Sequence, residues 1–170
     1  MRVLSILLMM TLGLSALAQT TIQYDSGNTS NLYDITSNAG NLFTGLNSAV
    51  AVTQLTYFFG PTDLQPAHQF RFDESIGGAN LGLQTVNPTT GMNVDAITNW
   101  DGMFTGTDLF VRITPYSGGP SLALDISGGT GVHAFLSTGA PVTAANPANF
   151  VLRITGATGL PVELLEASVE

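Results

Sequence analysis

Cysteine and lysine are both missing from this sequence. Without cysteine there can be no disulfide, thiol nucleophile, cysteine-ligated zinc, iron–sulfur cluster or lipid attachment at an N-terminal cysteine. Without lysine a Gly-x-x-x-x-Gly-Lys nucleotide loop is impossible. Basic residues of any kind are scarce. Four arginines stand against 12 acidic residues, and the formal net charge is −8. Binding to a phosphate backbone needs clustered Lys or Arg, so nucleic acid and anionic membrane surfaces are poor partners. No Gly-x-Ser-x-Gly elbow marks a serine nucleophile. The two histidines, His68 and His133, lie far apart and outside any helical metal-binding pattern. Long helical periodicity is absent as well.

What is present begins with an export signal. Met1-Arg2 is followed by the uncharged apolar run Val3 to Leu14 and by the small-residue site Ala16-Leu17-Ala18, so residues 1–18 read as a signal peptide cut before Gln19. A membrane anchor needs about 20 apolar residues, and this run reaches a cleavage-type sequence sooner. The mature protein is therefore expected to be secreted or held at the cell surface, the periplasm included, with no transmembrane span. Arg2 leaves with the signal, so three arginines remain against all 12 acidic residues. Residues 19–170 suffice for one domain core but hardly for two.

After Gln19 the hydrophobic pattern has period two, the signature of half-buried strands. The alternation predicts strands at Thr21–Asp25, Val50–Phe59, His68–Asp73, Leu81–Val86, Met92–Thr98, Leu109–Thr114, Ser121–Ile126, Val132–Ser137 and Phe150–Thr155. Between them lie turn-forming runs such as Gly60-Pro61-Thr62-Asp63, Asn87-Pro88-Thr89-Thr90-Gly91 and Ser127-Gly128-Gly129-Thr130. Many short strands joined by such turns predict an all-β, antiparallel β-sandwich over residues 19–159. Gly27 to Asn47, rich in Asn, Ser and Gly, reads mostly as loop. The likeness of Phe110-Val111-Arg112-Ile113-Thr114 to Val151-Leu152-Arg153-Ile154-Thr155 is too short for a repeat and fits two strands with one outward arginine each.

The final run Leu160-Pro161-Val162-Glu163-Leu164-Leu165 resembles a Leu-Pro-Val-Glu-Leu-Leu tail or junction of secreted bacterial proteins, which in Bacteroidetes-like chains precedes a C-terminal sorting domain. Here residues 160–170 end the sequence, and Ala167 stands where an aromatic is common. Pro161 suits the start or edge of a strand, so the tail is expected to form a final edge strand. Tyr24-Asp25-Ser26-Gly27, Pro120 to Asp125 and Phe150 to Ile154 resemble jelly-roll accessory modules of secreted bacterial hydrolases and surface proteins. That resemblance implies a jelly-roll-like sandwich with an accessory or binding role, and supplies no catalytic residue.

Three chemistries are weighed on these residues. Asp73-Glu74, Asp95, Asp101, Asp108 and Asp125 in principle offer a glycosidase's two carboxyls, which would need to stand about 5–9.5 Å apart across a cleft. Calcium uses oxygen ligands without cysteine, and Asp95, Asn99, Asp101 and Asp108 gather around Trp100 and Gly102; the same residues also read as ordinary turn formers. The third candidate comes from pairing successive late strands. Thr114 opposite Ser121 sets Phe110 against Asp125 and Arg112 against Ala123, and a three-residue loop at Gly128-Gly129-Thr130 then sets Leu124 against Ala134 and Leu122 against Leu136. Matching apolar to apolar on one face leaves Phe110, Arg112, Asp125, His133 and Phe135 together on the other. Rings and polar groups so mixed suit a sugar or peptide ligand.

The leading expectation is a non-enzymatic extracellular binding or surface module, its partner a polysaccharide or surface protein. Carbohydrate is the ligand class considered first. The alternatives are a structural subunit of a surface layer or fibre and a small hydrolase using paired carboxylates.

Overall fold

The computed structural model describes residues 19–46, 50–61, 67–115, 121–127, 129, 131–143 and 148–157. The expected signal peptide, the expected tail strand and most of the Pro115 to Pro120 loop lie outside the described residues.

Within them thirteen strands and no helix form two antiparallel sheets packed face to face, a β-sandwich. The five-stranded sheet contains β3 (Ala39–Phe43), β5 (His68–Asp73), β6 (Asn80–Val86), β9 (Leu109–Ile113) and β11 (Ala134–Leu136), in the order β11-β3-β9-β5-β6. The eight-stranded sheet is built around the path β1 (Gln19–Ile22), β13 (Leu152–Ala157), β4 (Val50–Phe59), β10 (Ser121–Asp125) and β12 (Asn149–Phe150). Off that path β2 (Leu32–Asp34) pairs with β10, while β7 (Gly91–Ala96) and β8 (Met103–Phe104) pair with β4. From β8 onward every connection except the last crosses between sheets, the jelly-roll-like winding.

Alternation explains the core. Leu55 and Tyr57 on β4, Phe70 and Phe72 on β5, Val111 and Ile113 on β9, and Leu152 and Ile154 on β13 all turn inward, where they are fully buried. Tyr57 places its hydroxyl among apolar neighbours and donates it to Asp95 Oδ2 at 2.7 Å. Burial, and then this bond, push the phenol well above its usual range. Trp100 closes the core beside β6: it lies 4.7 Å from the Phe72 ring and fills the space a side chain at Gly82 would need. Gln84 ties the same loop down by accepting the Thr98 and Asn99 amides on Oε1.

The structure corrects the expected pairing of the late strands. β9, β10 and β11 are not neighbours: β9 lies between β3 and β5, β10 belongs to the other sheet, and β11 pairs with β3. Phe110 therefore faces Leu42 and Asp73, Arg112 faces Gly40 and Arg71, Leu124 and Asp125 face Phe150 and Asn149, and Phe135 faces Gly40. The reason is that period two determines which side chains share a face but not which strand lies alongside, since any even offset preserves it. All five residues of β9 and of β10 are buried, and a strand covered on both faces needs neighbours on both edges.

The second correction is β3, which falls in the stretch Gly27 to Asn47 expected to be loop yet is internal to its sheet. Gly40 and Asn41 both carry weak strand propensity. At Gly40 a Cβ would collide with the Val111 carbonyl oxygen and Arg112 Cα, so only glycine permits this approach. Asn41 points inward, fully buried, and reaches the opposite sheet: Oδ1 accepts the Phe150 amide at 2.9 Å, and Nδ2 donates to the Phe150 and Leu152 carbonyls at 2.9 and 3.1 Å. These bonds meet the backbone where Val151 interrupts the run between β12 and β13.

Candidate functional site

With Phe70, Phe72, Val111, Ile113 and Ala134 facing the core, the intervening residues of the five-stranded sheet face outward. One row across this outer face reads Phe135, Gly40, Arg112, Arg71, Leu83, each directly opposite the next. The adjoining row reads Leu42, Phe110, Asp73, Asn80.

Two arginines directly opposite one another repel unless something lies between them. Here it is Asp73, whose Oδ1 accepts Arg71 Nε at 2.6 Å and whose Oδ2 accepts Arg112 Nε at 2.7 Å. Its side chain is 4% exposed, against 9% for Arg112 and 33% for Arg71. Each guanidinium gives the carboxylate only its Nε. The Nη groups of both arginines have no protein partner among the described residues. Arg153 differs: it grips Asp25 as a fork, Nε to Oδ2 at 3.1 Å and Nη2 to Oδ1 at 2.6 Å, a neutral pair. Among the described arginines, surplus positive charge is therefore confined to the Arg71–Arg112 pair.

Part of this face is covered. The loop after β5 leaves one end of the sheet and the turn after β11 leaves the other, yet a side chain added at Gly139 would meet Ile76 Cγ2 at 3.8 Å, so the two segments lie near one another. Phe110 and Arg112 are themselves buried on this side of the sheet. The β5–β6 side stays open, with Leu83 and Thr85 exposed and Gln69 and Arg71 partly so.

No protein-family model matches the chain, and no curated protein matches its sequence. The site is accordingly read from its own residues. Of the five expected together, Phe110, Arg112 and Phe135 do share this face, brought there by β3 lying between β9 and β11. Asp125 does not: it is fully buried in the other sheet, accepting the amides and hydroxyls of Ser26 and Ser127. His133 stacks on Tyr24, ring centroids 3.5 Å apart, with Nδ1 3.0 Å from the Leu42 carbonyl. Arg71 and Leu83 are not among the expected site residues, and Asp73 is expected only as a candidate glycosidase carboxyl, although Arg71-x-Asp73 on an alternating strand does place both on one face.

The calcium candidates are spread over separate tasks. Asp95 holds the Tyr57 hydroxyl, Asn99 lies in the loop pinned by Gln84, Asp101 caps the Met103 amide at 3.0 Å, and Asp108 immediately precedes β9. Among the described residues no three His, Asp or Glu side chains are grouped to hold a metal. Nor is any helix among them long and apolar enough to cross a membrane.

Two buried groups set the acid response of the fold. Burial works to raise the Asp125 pKa, but the hydrogen bonds from Ser26 and Ser127 together reverse this and hold it below the ordinary aspartate value. Burial alone lowers the His68 pKa. In both cases the unfolded chain binds the proton more readily, so stability is complete above the unfolded pKa and falls as pH drops through the folded one. Urea midpoints are expected to be flat above about pH 7, to decline below about 6.5 as His68 is drawn to ionise, and to fall again below about 4 with Asp125. In Asp125→Asn the lower of the two declines should weaken; an unchanged acid limb would show that other carboxylates control it.

Proposed function

We propose that the protein is an exported, non-enzymatic binding module of the extracellular space or cell surface, with its ligand on the open side of the five-stranded sheet. The observation that supports this reading is the outer-face row itself: paired arginines with unspent donors beside an exposed leucine. Apolar surface next to convergent polar donors is the usual composition of a ligand site. The paired-carboxylate hydrolase has less support, since Asp73, Asp95 and Asp125 are each engaged by protein donors.

A screen of residues 19–170 against glycans and cell-wall polymers, with and without calcium, tests the proposal. A hit that Leu83→Asp abolishes while the melting temperature holds is the expected result. Binding indifferent to that substitution would remove the ligand from this face.

One feature favours the structural-subunit reading. β7 pairs only with β4 and exposes Met92 and Val94, 46% and 58% accessible, along an edge open to strand addition. Sedimentation showing concentration-dependent assembly that Val94→Lys prevents would put assembly ahead of ligand binding.

A further inference from the structure

We propose that the ligand is a uronate-bearing polysaccharide whose carboxylate is taken by the Nη groups of the half-exposed Arg71, with the charge of the more deeply set Arg112 behind them. This rests on reading the open side of the five-stranded sheet as the ligand face, and adds the chemical class. Residues directly opposite on neighbouring strands have Cβ atoms about 4.5–5.5 Å apart, so the two guanidiniums stand close enough to address one small group. Both have spent only Nε on Asp73, which leaves the donor pairs that match a planar carboxylate. Two positive charges against one negative leave a single unit uncompensated, the charge of one carboxylate. The next acidic residue, Glu74, is exposed and forms no ion pair with either arginine.

The surroundings suit a sugar rather than a bare ion. Leu83, directly opposite Arg71, offers an apolar contact for the C–H face of a ring, and the neighbouring pair Gln69 and Thr85 offers amide and hydroxyl groups to sugar hydroxyls. The rest of the chain is acidic, so a polyanion is repelled elsewhere and attracted here.

The test is calorimetric titration of residues 19–170 with polygalacturonate, its methyl ester, a neutral galactan, polyglutamate and dextran sulfate. Polygalacturonate is expected to bind best. Esterification and Arg71→Gln should each weaken it about tenfold or more, the loss of a charged hydrogen bond. Because Arg71 also bonds the buried Asp73, the melting temperature of the variant is measured beside the titration, which is run well below it. If the ester or the galactan binds equally well, or Arg71→Gln retains affinity, a ligand face survives but carboxylate recognition by these arginines falls. Tighter binding of polyglutamate or dextran sulfate would overturn the uronate assignment in favour of an acidic peptide or a sulfated chain. Binding to none of the five overturns this inference, and failure of the wider glycan screen as well removes the binding-module reading with it.

Discussion

Asn41→Leu is expected to lower the unfolding free energy by about 4 kcal/mol, among the largest losses any single substitution should produce here. Leucine has nearly the right volume, so the effect isolates polarity. The Phe150 amide and the Phe150 and Leu152 carbonyls lose the partner that crosses the sandwich to meet them. Each buried group left without a partner costs about 1–3 kcal/mol. Asn41→Asp carries a further signature: an ionised carboxylate can accept from the amide but cannot donate to two carbonyls. Its deficit relative to wild type should therefore shrink as the aspartate is protonated. Urea denaturation at pH 7 and at pH 4 reads both effects. A loss under about 1 kcal/mol for the leucine variant would show that solvent or a backbone shift replaces the bridge.

Phe110→Ala should cost about 3–5 kcal/mol, whereas Phe135→Ala, only half-buried, should cost markedly less. The contrast matters because both rings lie on the outer face and both are expected from the sequence to serve a ligand. Phe110 is wholly enclosed although it stands apart from the main core, so its loss leaves a cavity. Thermal melts of the two variants decide the matter. Equal and small shifts would mean that Phe110 is reachable, and would return it to the ligand face.

How far the sequence reaches is visible in these two residues. Alternation along Leu109 to Ile113 correctly turns Phe110 and Arg112 away from the main core, because side-chain parity is local to a strand. Nothing local reveals that both are nonetheless buried there. Asn41 is illegible for a related reason: in Ala39-Gly40-Asn41-Leu42-Phe43 the residues that weaken a strand signal are those that tertiary contacts require, glycine for a close backbone approach and asparagine for a broken strand across the sandwich. Strands β4 and β5 match their expected limits, Val50–Phe59 and His68–Asp73, although an irregularity at Thr53 shifts the alternation along β4. The late-strand register failed because apolar matching between two alternating strands is satisfied by many partners. The Arg71–Asp73–Arg112 constellation depends on β5 lying beside β9, a long-range pairing that composition and spacing do not disclose.

The position of β13 bears on when this protein can fold. Residues 152–157, the last strand in chain order, lie between β1 and β4, with Gln19 set opposite Ala157. The larger sheet cannot close early as the polypeptide emerges from the ribosome, because β13, interior to it, is made after every other described strand. Nearly the whole length must be looped before that strand is gripped on both edges, and such distant pairings form slowly. A nascent chain of this design leaves the larger sheet open until residues 152–157 have been made.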